Sequence, residues 1–105
     1  MKKILIVLLI CVVSISSFAT IKLAALMPMT GSVAAFGRMI YDGIELANEL
    51  FPTVNGEEIE VVLLDNKSDK VEAVNTARRA IEVENVVAIL GEVISGNTIA
   101  GGAVA

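Results

Sequence analysis

An apolar run from Ile4 to Val13 opens the chain behind Lys2 and Lys3, and gives way to Ser14, Ser16, Ser17, Phe18 and Ala19. A charged end, an apolar stretch and a small-x-small site at Ser17-Phe18-Ala19 form the pattern of an export signal. Residues 1–19 therefore read as a signal peptide. The stretch is shorter than the about 20 apolar residues of a comfortable membrane span; an uncleaved N-terminal anchor is the other reading of the same segment. Further on, Ile21–Met27 (IKLAALM) is mostly apolar and ends at Pro28, as a strand buried on both faces of a parallel sheet does. The small-residue segment Met29–Gly37 begins as a loop. Ile40, Ile44, Ala47 and Leu50 then recur at helical spacing, with Asp42, Glu45 and Glu49 on other faces. This predicts a helix from about Ser32–Ala35 to Leu50, stopped at Phe51-Pro52.

Val54–Glu57 (VNGE) is turn chemistry. Ile59–Leu64 (IEVVLL) reads as a second strand ending at Asp65, and Asn66–Asp69 as a polar loop. Asp69 with Glu72 resembles a capping box, and the helix after it runs to about Glu84 with Val71, Val74, Ala77 and Ile81 inward. Val86–Leu90 is a third strand, Gly91–Asn97 a loop, and Thr98–Ala105 the start of a helix. The order β-α-β-α-β-α with short loops predicts an α/β fold with a parallel, Rossmann-like sheet and right-handed crossovers. Three strands leave open sheet edges, so residues 20–105 read as the first part of a larger lobe and the sequence as a truncated one.

Charge and composition narrow the chemistry. Without Lys2 and Lys3 the chain carries six basic and twelve acidic residues, a net charge of −6. No basic patch remains to neutralise a phosphate backbone, which argues against a nucleic-acid partner; Arg78-Arg79 fits a solvated helix face. Histidine is absent, and the only cysteine, Cys11, lies inside the leader at a position unlike that of a lipid-anchored cysteine. The usual zinc ligands and the usual general base are therefore missing, and no Ser-His-Asp triad can be built. No catalytic residue, cofactor or metal is expected.

In open parallel sheets, ligands bind beyond the carboxyl ends of the strands. Three loops are expected there: Pro28–Gly37, Asp65–Asp69 and Gly91–Asn97. The first and third lead into helix N-termini, whose free N–H groups favour an anion. Neither carries GxGxxG or GxxxxGK[ST], and Val93 stands where a nucleophile elbow needs glycine. Tight turns alone would also explain Gly31, Gly37, Gly91 and Gly96.

Several blocks in order resemble one family. IKLAALMPMTGSVAAFGRMIY, DGIELANEL, EVVLLDNKSDKVEAVNTARRAI and VVAILGEVISGNTIA are similar to the opening of the periplasmic branched-chain amino-acid binding proteins of ABC transporters, across essentially all of residues 21–105. The resemblance implies the first part of lobe 1 of a type I periplasmic binding fold, with an amino acid held between two lobes. It places Ser95 at the serine that meets the ligand carboxylate, with Gly96 and Asn97 beside it, and Phe36 at an aromatic residue packing on the ligand. From the residues alone, Ser95 could equally be a helix cap and Phe36 a core residue. Some relatives join the loops after the second and third strands by a disulfide; Ser68 and Ile94 lie near those positions, so this chain lacks it. The resemblance implies a non-enzymatic, extracytoplasmic, monomeric solute-binding component that delivers a branched-chain or other aliphatic amino acid to an ABC permease. A ligand-sensing ectodomain or amide-sensing regulator on the same scaffold is the alternative, and a nucleotide-dependent enzyme a third reading.

Overall fold

A computed structural model describes residues 19–105; the leader read at residues 1–19 lies, apart from Ala19, outside the described residues. The first strand, β1 (Thr20–Met27), is followed by helix α1 (Ala34–Leu50). A two-residue strand β2 (Thr53–Val54) turns into β3 (Glu57–Asp65). Helix α2 (Lys70–Glu82), strand β4 (Ala88–Leu90) and helix α3 (Ser95–Gly102) complete the order. The sheet runs β2-β3-β1-β4. β1 pairs in parallel with β3, from Thr20↔Glu58 to Met27↔Asp65, and with β4 from Leu23↔Ala88 to Ala25↔Leu90.

The expected parallel sheet is therefore present, with one addition. β2 pairs antiparallel with β3 across Asn55 and Gly56, both in the left-handed region (φ 51° and 82°), where Asn-Gly makes a hairpin turn of the right twist. The turn was legible, but Thr53 and Val54 are too few to show strand periodicity.

Central position explains the composition of β1. Successive side chains alternate between the two faces of a strand, and Ala24, Ala25, Leu26 and Met27 are all buried, so both faces are covered. On one face Ala24, Leu26 and Leu64 form a core with Ala77 and Ala80 of α2, and Val62, Val86, Ile89 and Val104 pack against it. Burying Leu26 and Leu64 contributes about 1.5–3 kcal/mol each. On the other face, Ile44 of α1 lines a pocket with Met27 and Leu90, while Ile40 and Leu50 remain exposed.

α2 turns differently from the expected register. Ala73, Thr76, Ala77 and Ala80 are its buried residues, whereas Val71 and Ile81, expected inward, are exposed. Close packing on α3 explains the shift. A Cβ on Gly101 would lie 3.3 Å from the Ala73 carbonyl and 3.7 Å from the Ala77 methyl, so only a small-residue face fits there. The α2 cap does form: Asp69 Oδ1 accepts from the N–H groups of Val71 and Glu72 at 2.8 and 2.9 Å. Glu72 does not close the reciprocal half of the box; it pairs instead with Lys67 at 3.7 Å. β4 is shorter than the expected Val86–Leu90, and α3 begins at Ser95, inside the segment expected to be loop.

Candidate functional site

Three loops meet at the carboxyl edge of the sheet, and they are built differently. The loops after β1 and β3 are joined by one carboxylate. Asp65 Oδ1 accepts from the N–H groups of Met29 (2.9 Å), Thr30 (3.3 Å) and Lys67 (2.8 Å), and Oδ2 from the Thr30 hydroxyl (2.7 Å). Burial alone would raise the pKa of Asp65. The hydrogen bonds from the Thr30 hydroxyl and the three N–H groups outweigh it and hold the carboxyl below the ordinary aspartate value.

Ser68 adds a second link. Its hydroxyl donates to the Thr30 carbonyl at 2.9 Å and accepts from the Val33 N–H at 3.3 Å. Lys67 and Ser68 both sit in the left-handed region (φ 57° and 59°), held there by Asp65 and by the side chain of Asn66, which accepts from the Ser68 N–H at 3.1 Å. Gly31 (φ +88°) lies against the Lys67 carbonyl and the Ser68 side chain, with no room for a Cβ. Sequence reasoning missed Asp65 and Ser68 as site residues; a carboxylate ending a strand before Asn-x-Ser was the available signal.

Phe36 projects from the first turn of α1 and is 59% exposed. Among the described residues it is therefore not part of a core. The helix behind it is seated by Gly37, which lies against the Pro28 carbonyl.

The third loop leads from Gly91 into α3. Ile94 is the cap residue and no side chain caps the helix, so Ser95 is the first helical residue and not an N-cap. Ser95 and Gly96 are exposed, and N–H groups in the first turn have no intrahelical acceptor. Asn97 behaves otherwise. It is 4% exposed, its N–H reaches back to the Ile94 carbonyl at 3.0 Å, and its side chain lines a cavity of about 170 Å³ with Leu26, Ala73, Ile89 and Glu92.

Glu92 holds this loop from inside. Its Oε2 accepts from the Ile94 N–H at 3.0 Å, while Oε1 and the Asn97 Nδ2 are both buried without a hydrogen-bond partner. Burial raises the Glu92 pKa against the Ile94 N–H and the nearby Asn97 amide, which favour the ionised form. Sequence reasoning missed Glu92 as well. Ser95, Gly96 and Phe36 thus lie exposed in the first turns of two helices whose parent strands, β1 and β4, are paired neighbours, and Asn97 faces the interior. Among the described residues no cluster of three or more His, Cys, Asp or Glu could hold a metal.

An open, mostly parallel sheet with short loops into exposed helix N-termini is the architecture of part of a type I periplasmic binding fold. Residues 20–105 match the periplasmic binding protein family, and the chain belongs to it. The chain is 36% identical over 84 residues to Leu/Ile/Val-binding protein homolog 7 of Brucella abortus, covering 78% of this chain and 21% of that protein. Among solved structures it resembles the leucine-binding protein LivK of Thermotoga maritima, with 52% identity and a TM-score of 0.79, covering 81% of this chain and 24% of that one. It also resembles the branched-chain amino-acid substrate-binding protein LivJ of Streptococcus pneumoniae, solved with isoleucine, with 34% identity and a TM-score of 0.76, covering 81% and 25%. These relatives are solute-binding proteins and not enzymes. The chain spans about a fifth of the length of the curated relatives it matches.

Proposed function

We propose that residues 20–105 form the first part of one lobe of an extracytoplasmic solute-binding protein, exported by the leader at residues 1–19. It takes an amino acid between two lobes and delivers it, as a monomer, to an ABC permease. One observation carries the reading to a ligand class: Ser95 and Gly96 stand exposed at the N-terminus of α3. The positive end of the helix dipole and the first-turn N–H groups favour a carboxylate there. The Ser95 hydroxyl adds a donor to the same anion, and Phe36 offers an apolar wall for an aliphatic side chain. Asn97, being buried, supports the loop from behind.

The named ligands of the Brucella and Thermotoga relatives, and the isoleucine held by the Streptococcus protein, favour a branched-chain side chain. The test is a thermal-shift and calorimetric screen of the complete reading frame against leucine, isoleucine, valine, other amino acids, benzoate and nucleotides. An aliphatic amino acid should raise the melting temperature. Ser95→Ala should then weaken its binding by about tenfold or more, the worth of one hydrogen bond to a charged group. Stabilisation by a nucleotide alone would overturn the reading.

A further inference from the structure

We propose that Asp65 is a positioning residue of this ligand site, fixing through Thr30 and Ser68 the loop that feeds α1 and presents Phe36. The inference rests on the solute-binding reading above.

Four donors from two loops converge on one carboxylate at 2.7–3.3 Å. Three N–H groups converge on Oδ1 and the Thr30 hydroxyl on Oδ2, so most of the carboxylate's about four acceptor sites are taken up by the two loops, and Asp65 acts through the loop it holds. The link continues outward. Thr30, held by Asp65 through both its N–H and its hydroxyl, receives the Ser68 hydroxyl on its carbonyl, and the same hydroxyl accepts from the N–H of Val33, the cap residue of α1. The Val33 carbonyl in turn accepts the N–H groups of Phe36 and Gly37 at 3.0 and 3.2 Å. Each step from the carboxylate to the turn that carries Phe36 is therefore a direct hydrogen bond.

Apart from this network, the loop is fixed by the close approach of Gly31 to the Lys67 carbonyl and Ser68 side chain and of Gly37 to the Pro28 carbonyl. Thr30, Gly31 and Ser32 are exposed, so apolar burial contributes little to their placement. Charge-assisted hydrogen bonds are about twice as strong as neutral ones, which lets one side chain hold an exposed loop in one shape. A preorganised wall spares the ligand the cost of ordering it.

The test uses the complete reading frame and leucine as the probe, with isothermal calorimetry for affinity and amide hydrogen exchange for the loop. Asp65→Ala should weaken leucine binding by about tenfold or more, and speed exchange at Met29, Thr30 and Val33 while leaving Leu23 to Leu26 protected. Thr30→Val, at an exposed position, covers the case in which Asp65→Ala fails to fold. It should weaken binding too, and Thr30→Ser, which keeps the hydroxyl, should recover most of the loss. Leucine bound as tightly by Asp65→Ala and Thr30→Val as by the unaltered protein overturns the inference while the solute-binding reading stands. So does weaker binding with no faster exchange at Val33, or a Thr30→Ser variant no better than Thr30→Val. If the unaltered protein binds no amino acid, the solute-binding reading fails first and the inference falls with it.

Discussion

Asp65 and Glu92 stand at the same edge of one sheet and respond to pH in opposite senses. Asp65 collects enough donors to favour its ionised form. Its stabilisation is present above the ordinary aspartate pKa of about 3.9 and is lost as pH falls through the lower value it has when folded. Glu92 keeps one oxygen buried and unpartnered, and burial raises its pKa. Folding therefore favours its protonated form, and ionisation costs stability as pH rises from the ordinary glutamate value of about 4.3 through the raised one. Melting temperatures measured across acid and neutral pH on the complete reading frame should separate the two. Glu92→Gln, which retains an acceptor for the Ile94 N–H, should raise the melting temperature near about pH 7 and have no such effect below about pH 4. Asp65→Ala should lower it near about pH 7, by an amount that shrinks as the solution is acidified below about pH 3.9. A Glu92→Gln variant that melts lower than the parent at neutral pH would contradict this role for Glu92.

Two glycines of α1 show how the same residue type serves different ends within one element. Gly37 is buried against the Pro28 carbonyl, and an added Cβ would meet backbone there. Gly43, further along the helix, has nothing within 4 Å of a Cβ. Gly37→Ala should therefore cost about 1–3 kcal/mol by forcing the helix off the loop, whereas Gly43→Ala should stabilise by about 0.5–1 kcal/mol through helix propensity. Chemical denaturation of both variants measures the contrast, and equal effects would mean that α1 is not seated by Gly37. At this scale the sequence was readable where apolar runs were long: β1, β3 and the two longer helices fall within a few residues of expectation. It was not readable where contacts decide. The inward face of α2 is Ala73, Thr76, Ala77 and Ala80 because α3 packs too closely for valine or isoleucine, and the valines were the stronger pattern. Ser95 read as loop because Gly91–Asn97 is rich in small residues, yet helix begins there once Ile94 takes the cap position. For Ser95 and Phe36 a place in the proposed site rests on resemblance alone. Asp65 and Ser68 act on a loop 35 or more residues away, and Glu92 acts through burial, neither of which local spacing reveals.

For the molecule as a whole, the architecture sets what these residues can do by themselves. β1 is central, and the sheet ends in β4 on one side and the two-residue β2 on the other. All three loops that would touch a ligand lie along a single edge, so residues 20–105 offer one wall of a site. Small-ligand sites bury about 70–90% of the ligand surface, and one open wall cannot enclose an amino acid to that extent. The carboxylate would meet Ser95 and Gly96 in full contact with water, where an anion at an exposed helix N-terminus gains only about 0.3–1 kcal/mol. Phe36, 59% exposed, would cover one side of the ligand's chain at most. Binding must also offset about 4 kcal/mol or more of lost translational and rotational freedom. A chain of residues 20–105 should accordingly show no leucine affinity tighter than about 1 mM, while a protein that closes a second wall over the same loops should bind far more tightly. Titrating leucine into the isotope-labelled 20–105 chain and following the amide signals of Ser95, Gly96 and Phe36 measures this directly. Micromolar binding by that chain would place the whole site within the three loops described and remove the need for a second lobe.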